Sequence, residues 1–87
     1  MLKADGLDDA IIGEVSSFGR EGTILYSVQK IINILVERDG MTPEEAYEYY
    51  EFNIAGCYLG EGMPTYLDDL ADSKEEFIDN LLNEYGE

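Results

Sequence analysis

Twenty carboxylates and one cysteine are the residues of this chain that could do chemistry, and no histidine accompanies them. Without an imidazole to take its proton, Cys57 lacks the usual partner of a nucleophilic thiol. Its helical spacing from Ala46, Tyr50 and Ile54 assigns it to an apolar face, as a structural thiol. Paired carboxylates can serve as general acid and base. With twenty of them in 87 residues, some pair must lie close by chance, so residue type singles none out. A zinc site would have Cys57 as its one soft ligand. Glu61, Asp68, Asp69 and Asp72 could offer oxygens to calcium or magnesium, yet the acid–glycine order of an EF-hand loop is missing, and a solvated acidic turn accounts for them. Gly60-Glu61-Gly62-Met63-Pro64 does not complete G-x-G-x-x-G, no Lys-Ser/Thr follows, and Glu61 would repel a phosphate. The expectation is a protein that is not an enzyme, with no catalytic residue, metal or cofactor.

What remains is charge used as a surface. The net charge is −15, with 20 acidic against 5 basic residues. Residues 1–43 contribute −3 and residues 44–87 contribute −12, the latter with Lys74 as their one base. Such a field repels nucleic-acid phosphate and anionic membrane, and it attracts basic protein surfaces; its simplest use is solubility. Duplex DNA carries one negative charge per about 3.4 Å of each strand, and acids at i, i+3 and i+4 of a helix lie about 5–6 Å apart. Glu44, Glu45, Glu48 and Glu51 make one such row, and Asp72, Glu75, Glu76 and Asp79 a second. A site built for phosphates could accept them; two solvated helix faces are the alternative. Tyr47, Tyr49, Tyr50, Phe52 and Tyr58 exceed what one buried face can hold, and exposed aromatics among acids suit a protein interface. Packing beneath the last helix is their other expected use. Phe52 joins the two acidic rows as a candidate partner-binding residue.

The elements that position these rows can be read from periodicity. Residues 1–7 form a loose lead-in. Residues 10–18 alternate as a half-buried strand, with Gly13 marking a bulge or a close backbone approach. Residues 19–22 make a turn of about four residues, and 23–26 are a β-branched, aromatic second strand. Ser27 caps a helix over residues 28–39, with Val28, Ile31, Ile32, Leu35 and Val36 on one face and Gly40 at its left-handed exit. Thr42, Pro43 and Glu45 open a second helix through a capping box. On a wheel of about 100° per residue, Ala46, Tyr50, Asn53, Ile54 and Cys57 share a face, opposite Glu48 and Glu51. Asn53 is then a structural amide inside an apolar face, tying the 60–64 loop or the hairpin to the helix. Gly56 leaves room for another backbone. Residues 65–67 are a short third strand. Ser73-Lys74-Glu75-Glu76 opens a last helix to about Tyr85, with Phe77, Ile78, Leu81 and Tyr85 on one side. The order is β-β-α-α-β-α: one domain over 1–87, α+β, with a small antiparallel sheet covered by three helices.

The runs LDDAII (7–12), YSVQKIINILVERDG (26–40) and residues 41–66, with EFNIAGCYLGEGMP inside them, resemble those of a group of small uncharacterised proteins of tailed bacteriophages; the resemblance falls within residues 7–66, about two thirds of the chain. Asn53, Gly56, Gly60, Glu61 and Pro64 all match that group's pattern, whereas Cys57 stands where alanine is more usual there. The acidic segment from Asp68 onward has no counterpart in the pattern. The resemblance implies a phage source and a similar shape, and carries no mechanism. Small acidic phage proteins often occlude host enzymes, including nucleases of CRISPR or restriction systems. The expected partner is therefore a basic host protein surface, such as that of a nucleic-acid-binding nuclease, with no direct contact to nucleic acid or membrane. A self-associating structural or accessory protein, with Tyr49, Phe52 and Tyr58 at the contact, is the alternative; a small-molecule or metal module around Asn53 and Glu61 is a third. The first residues, MLKADGLDD, lack the apolar segment of a signal peptide, and no apolar run reaches membrane-spanning length. With a lone cysteine, this predicts the host cytoplasm.

Overall fold

The computed structural model describes residues 1–16, 18–19, 21–57, 60 and 62–85, without the side chains of 71–74 and 84–85. Its α+β fold follows the expected element order. Strands β1 (Ile11–Val15) and β2 (Thr23–Ser27) form an antiparallel hairpin, helix α1 (Val28–Asp39) follows without a break, and α2 (Pro43–Tyr49) returns after a short turn. A wider π-helical turn (Tyr50–Ala55) prolongs α2, and β3 (Thr65–Leu67) and α3 (Ala71–Tyr85) complete the chain. A 3-10 turn at Asp8–Ala10, absent from the sequence reading, leads into β1.

Most local expectations map directly onto these elements. Ser27 Oγ accepts the Lys30 N–H, and Gly40 leaves α1 at φ 73°, a conformation that glycine adopts without a Cβ clash. Thr42 and Glu45 form both halves of the capping box. The bulge falls between Ile11 and Gly13, where the register shifts. β1 is shorter than 10–18: it ends at Val15, and Ser16 and Phe18 stand in solvent.

Three expectations are corrected. The sheet is mixed, because β3 lies parallel to β2, with Tyr26 beside Tyr66 and Ser27 beside Leu67. A parallel neighbour needs a long crossover, and the helices between β2 and β3 supply one. The first seven residues are anchored: Leu7 is buried, the Ala4 N–H donates to Tyr26 Oη at 2.8 Å, and Leu2 N donates to Gly62 O at 2.8 Å. α3 begins at Ala71, so Ser73 lies inside it, and the helix does not cover the sheet: residues 75–83 are all exposed. The radius of gyration, 14.5 Å, exceeds the roughly 12 Å expected of a compact chain of this length, as an unpacked helix requires.

The core is assembled from Leu7, Ala10, Tyr26, Val28, Ile31, Ile32, Leu35, Ala46 and Tyr50. A run of tyrosine rings crosses it. Tyr26 and Tyr66 are 5.8 Å apart, Tyr66 meets Tyr50 edge-on at 5.7 Å, and Tyr50 lies 6.2 Å from Tyr47. These rings join β2, β3 and the second helix, at spacings that suit aromatic pairs. Four of the tyrosines are thus accounted for by packing between these elements, and not beneath the last helix.

Candidate functional site

Burial of Ala46 and Tyr50 sets the rotation of the second helix, and that rotation turns its carboxylates outward. Glu44, Glu45, Glu48 and Glu51 are all exposed. Glu44 and Glu45 also lie in the first turn, where they complement the positive end of the helix dipole. Tyr49 is exposed and Phe52 is 75% exposed, next to the same row. Glu45, Glu48, Tyr49, Phe52 and Asn53 surround a shallow depression of about 350 Å³. On α3, Glu75, Glu76 and Asp79 are exposed, while the side chain of Asp72 lies outside the described residues. So do Tyr58 and Glu61, two residues of the alternative readings.

The described members of both acidic rows are thus solvent-facing. No hydrogen bond or ion pair among the described residues links the α2 row to the α3 row. Nor does any salt bridge reach either helix among the described residues. The three ion pairs found there are the N-terminal amine with Glu21, Lys3 with Asp8, and Arg38 with its neighbour Asp39. The last holds the Asp39 carboxyl below its ordinary range through the guanidinium hydrogen bonds. Among the described residues, the carboxylates of α2 and α3 are left without such neutralisation.

Asn53 is the clearest displacement from expectation. The wheel placed it in the apolar face, but it is exposed, and its amide makes no hydrogen bond among the described residues. The cause is the π turn over Tyr50–Ala55. Bonding i to i+5 advances each residue by a smaller angle than an α-helix does. Tyr50 stays in the core, Ile54 and Ala55 pack at its edge, and Asn53 and Cys57 turn away. Gly56 permits this wide turn: a Cβ there would lie 2.8 Å from the Glu51 carbonyl oxygen. The backbone that approaches Gly56 is that of its own helix.

Cys57 is therefore exposed, not a core thiol. A colourimetric disulfide reagent is expected to label it in the folded protein within a factor of about ten of its rate in denaturant, since exposure governs access. Protection by orders of magnitude would contradict this placement. Asn53 and Cys57 instead border a cleft of about 300 Å³ with Leu35, Arg38, Tyr49 and Tyr66. Arg38 in that cleft is committed to Asp39 and to the Gly6 carbonyl. The hydroxyls of Tyr50 and Tyr66 are not activated. Desolvation first, and then nearby Tyr66, Asp68, Tyr47 and Glu51, push Tyr50 up to about 12, and Tyr66 is raised chiefly by burial.

Asp69 has a different task from the metal ligand considered in the sequence. Its Oδ2 accepts the Ser27 hydroxyl at 2.5 Å, and its Oδ1 accepts the Gln29 N–H at 2.9 Å. It thereby caps α1 from 40 residues away. α1 has no acid in its own first turn, so Asp69 supplies the negative charge that a helix N-terminus favours. That missing acid was the available sequence signal. Asp68 Oδ1 accepts the Leu70 N–H at 3.4 Å. Among the described residues no three Asp, Glu or Cys side chains converge on a point where a metal ion could sit.

The sequence also missed that the apolar side of α3 is open. Phe77, Ile78, Leu81 and Leu82 are all exposed. No helix among the described residues is long and apolar enough to cross a membrane. The chain matches no protein-family model, no curated protein in sequence and no solved structure in fold.

Proposed function

We propose that this chain is a non-enzymatic protein of a tailed bacteriophage that binds and inhibits a nucleic-acid-binding protein, such as a nuclease, in the host cytoplasm. The observation that carries the reading is the set of seven exposed carboxylates, Glu44, Glu45, Glu48, Glu51, Glu75, Glu76 and Asp79, with no salt bridge to either helix among the described residues. Their spacing within each helix is of the order of the charge spacing of a nucleic-acid strand. A basic cleft that accepts phosphates gains the same long-range attraction from such rows, and association is then fast and salt-sensitive. The exposed Phe52 offers an apolar contact beside the row.

The test is capture from host lysate on the immobilised chain and on the variant Glu48→Lys, Glu51→Lys, Glu75→Lys, Glu76→Lys. These four positions are exposed and outside the core, so the variant is expected to fold. The wild type should retain nucleic-acid-binding proteins that elute as salt rises, duplex DNA should compete for them, and the variant should lose them by at least an order of magnitude. Retention of the same proteins by the variant at low salt would refute the proposal.

A second reading, self-association through Tyr49, Phe52 and Tyr58, draws on the exposure of Tyr49 and Phe52. Sedimentation at two concentrations separates the two. A stable closed oligomer supports self-association, and a monomer supports the first reading.

A further inference from the structure

The apolar residues of α3 form a pattern that the acidic rows alone do not require. Phe77, Ile78, Leu81 and Leu82 fall within an arc of about 140° on a helical wheel. All four are exposed, Phe77 at 63% and Leu82 at 62%. Glu75, Glu76 and Asp79 lie outside that arc, also exposed. Ile78, Leu81 and Tyr85 follow the 3–4 spacing of a helix-pairing seam, continued toward the N-terminus by Ala71 and Lys74. A helix amphipathic to this degree ordinarily buries its apolar stripe. Here α1, α2 and the sheet form their core without it.

We infer that α3 is a docking helix whose occupant is a basic amphipathic helix of another protein. This rests on the function proposed above, and it locates the apolar half of that contact. The 3–4 spacing selects a helix, because knobs-into-holes packing is what that spacing serves. Charge selects a basic one. α3 carries Asp72, Glu75, Glu76, Asp79 and Glu84 against Lys74 alone. A second copy of this chain would bring the same acids to the other side of the seam, from a molecule of net charge −15. Repulsion between such flanking charges opposes self-pairing. Lysine and arginine beside an apolar stripe would meet the carboxylates while the stripe closes over Ile78 and Leu81.

The test uses the full chain and two probes, a synthetic amphipathic helix of leucine and lysine and a polylysine peptide of equal charge. The leucine–lysine helix is expected to bind on the order of tenfold tighter or more. Ile78→Ser with Leu81→Ser should remove that margin and leave the denaturation midpoint unchanged, since neither residue belongs to the core. Equal binding of the two peptides would overturn this inference and leave the acidic-surface reading standing. Failure of both peptides to bind at low salt would defeat that reading as well. An oligomer of the wild type that the double substitution dissociates would show a second copy to be the occupant, and would also overturn the inference.

Discussion

Tyr26→Ala is expected to cost about 3–5 kcal/mol, the range for truncating a buried aromatic ring. Folded chains are stable by roughly 0.05–0.15 kcal/mol per residue, so a loss of this size removes a large share of the total stability. The reason is the number of elements that meet at one side chain. Tyr26 is fully buried, pairs with Ile11 on one side and Tyr66 on the other, lies with its ring tilted 33° against that of Tyr66, and accepts the Ala4 N–H through its hydroxyl. Removing the ring opens a cavity between both neighbouring strands and releases the N-terminal segment. Tyr26→Phe separates the two contributions. It keeps the ring and removes the acceptor, and should cost about 1 kcal/mol, with faster hydrogen exchange at the Ala4 amide. Denaturant titration of both variants measures this directly. A loss below 1 kcal/mol for the alanine variant would mean that Tyr26 does not hold the sheet together.

Asp69→Ala should cost about 2 kcal/mol, at the upper end of a lost helix cap. The substitution strips partners from the Gln29 N–H and from the Ser27 hydroxyl, and Ser27 is the one buried polar residue of the described core. Asp69→Asn keeps the shape and one acceptor but removes the charge, so it should cost about half as much. The pH dependence has a definite sign. Partial burial pulls the Asp69 carboxyl upward, but hydrogen bonds from the Ser27 hydroxyl, from Gln29 N–H and from its own backbone amide, together with the charge of Lys30, outweigh it. Its pKa therefore lies below the ordinary 3.8. The folded state thus binds the proton less readily than the unfolded state, and the contribution is fully present above the unfolded value and lost as pH falls through the folded one. The stability difference between wild type and Asp69→Asn should be constant near neutral pH, begin to shrink as pH approaches 3.8, and continue shrinking below it. A gap that widens on acidification would contradict the cap.

These two residues also explain why β3 runs parallel. Leu67 pairs with Ser27, where β2 ends and α1 begins. A parallel β3 delivers the chain, two residues later, to the α1 N-terminus, where Asp69 finds an uncapped donor. An antiparallel β3 would carry the following residues toward the opposite end of the sheet. The strand direction and the long-range cap are thus one arrangement.

What the sequence determined by itself was local. Ser27 and Gly40 bound α1, Thr42 and Glu45 open α2, and the alternation around Ile11–Val15 with the β-branched and aromatic run from Thr23 marks the hairpin. Each of these follows from hydrogen bonds and dihedral preferences within a few residues, so a short window contains all the information. The outward facing of Glu44, Glu48 and Glu51 was legible for the same reason, because Ala46 and Tyr50 set the rotation of one helix. Tertiary structure decided the rest. The π turn that expels Asn53 and Cys57 rests on i to i+5 bonding, which a fixed 100° wheel does not represent. The direction of β3, the anchoring of Leu7 and the cap by Asp69 join residues tens of positions apart, where no periodicity connects them. The open face of α3 is decided by the core itself. Amphipathic spacing says that a helix has an apolar side, and the elements already packed around Tyr26, Ile31 and Leu35 leave that side uncovered.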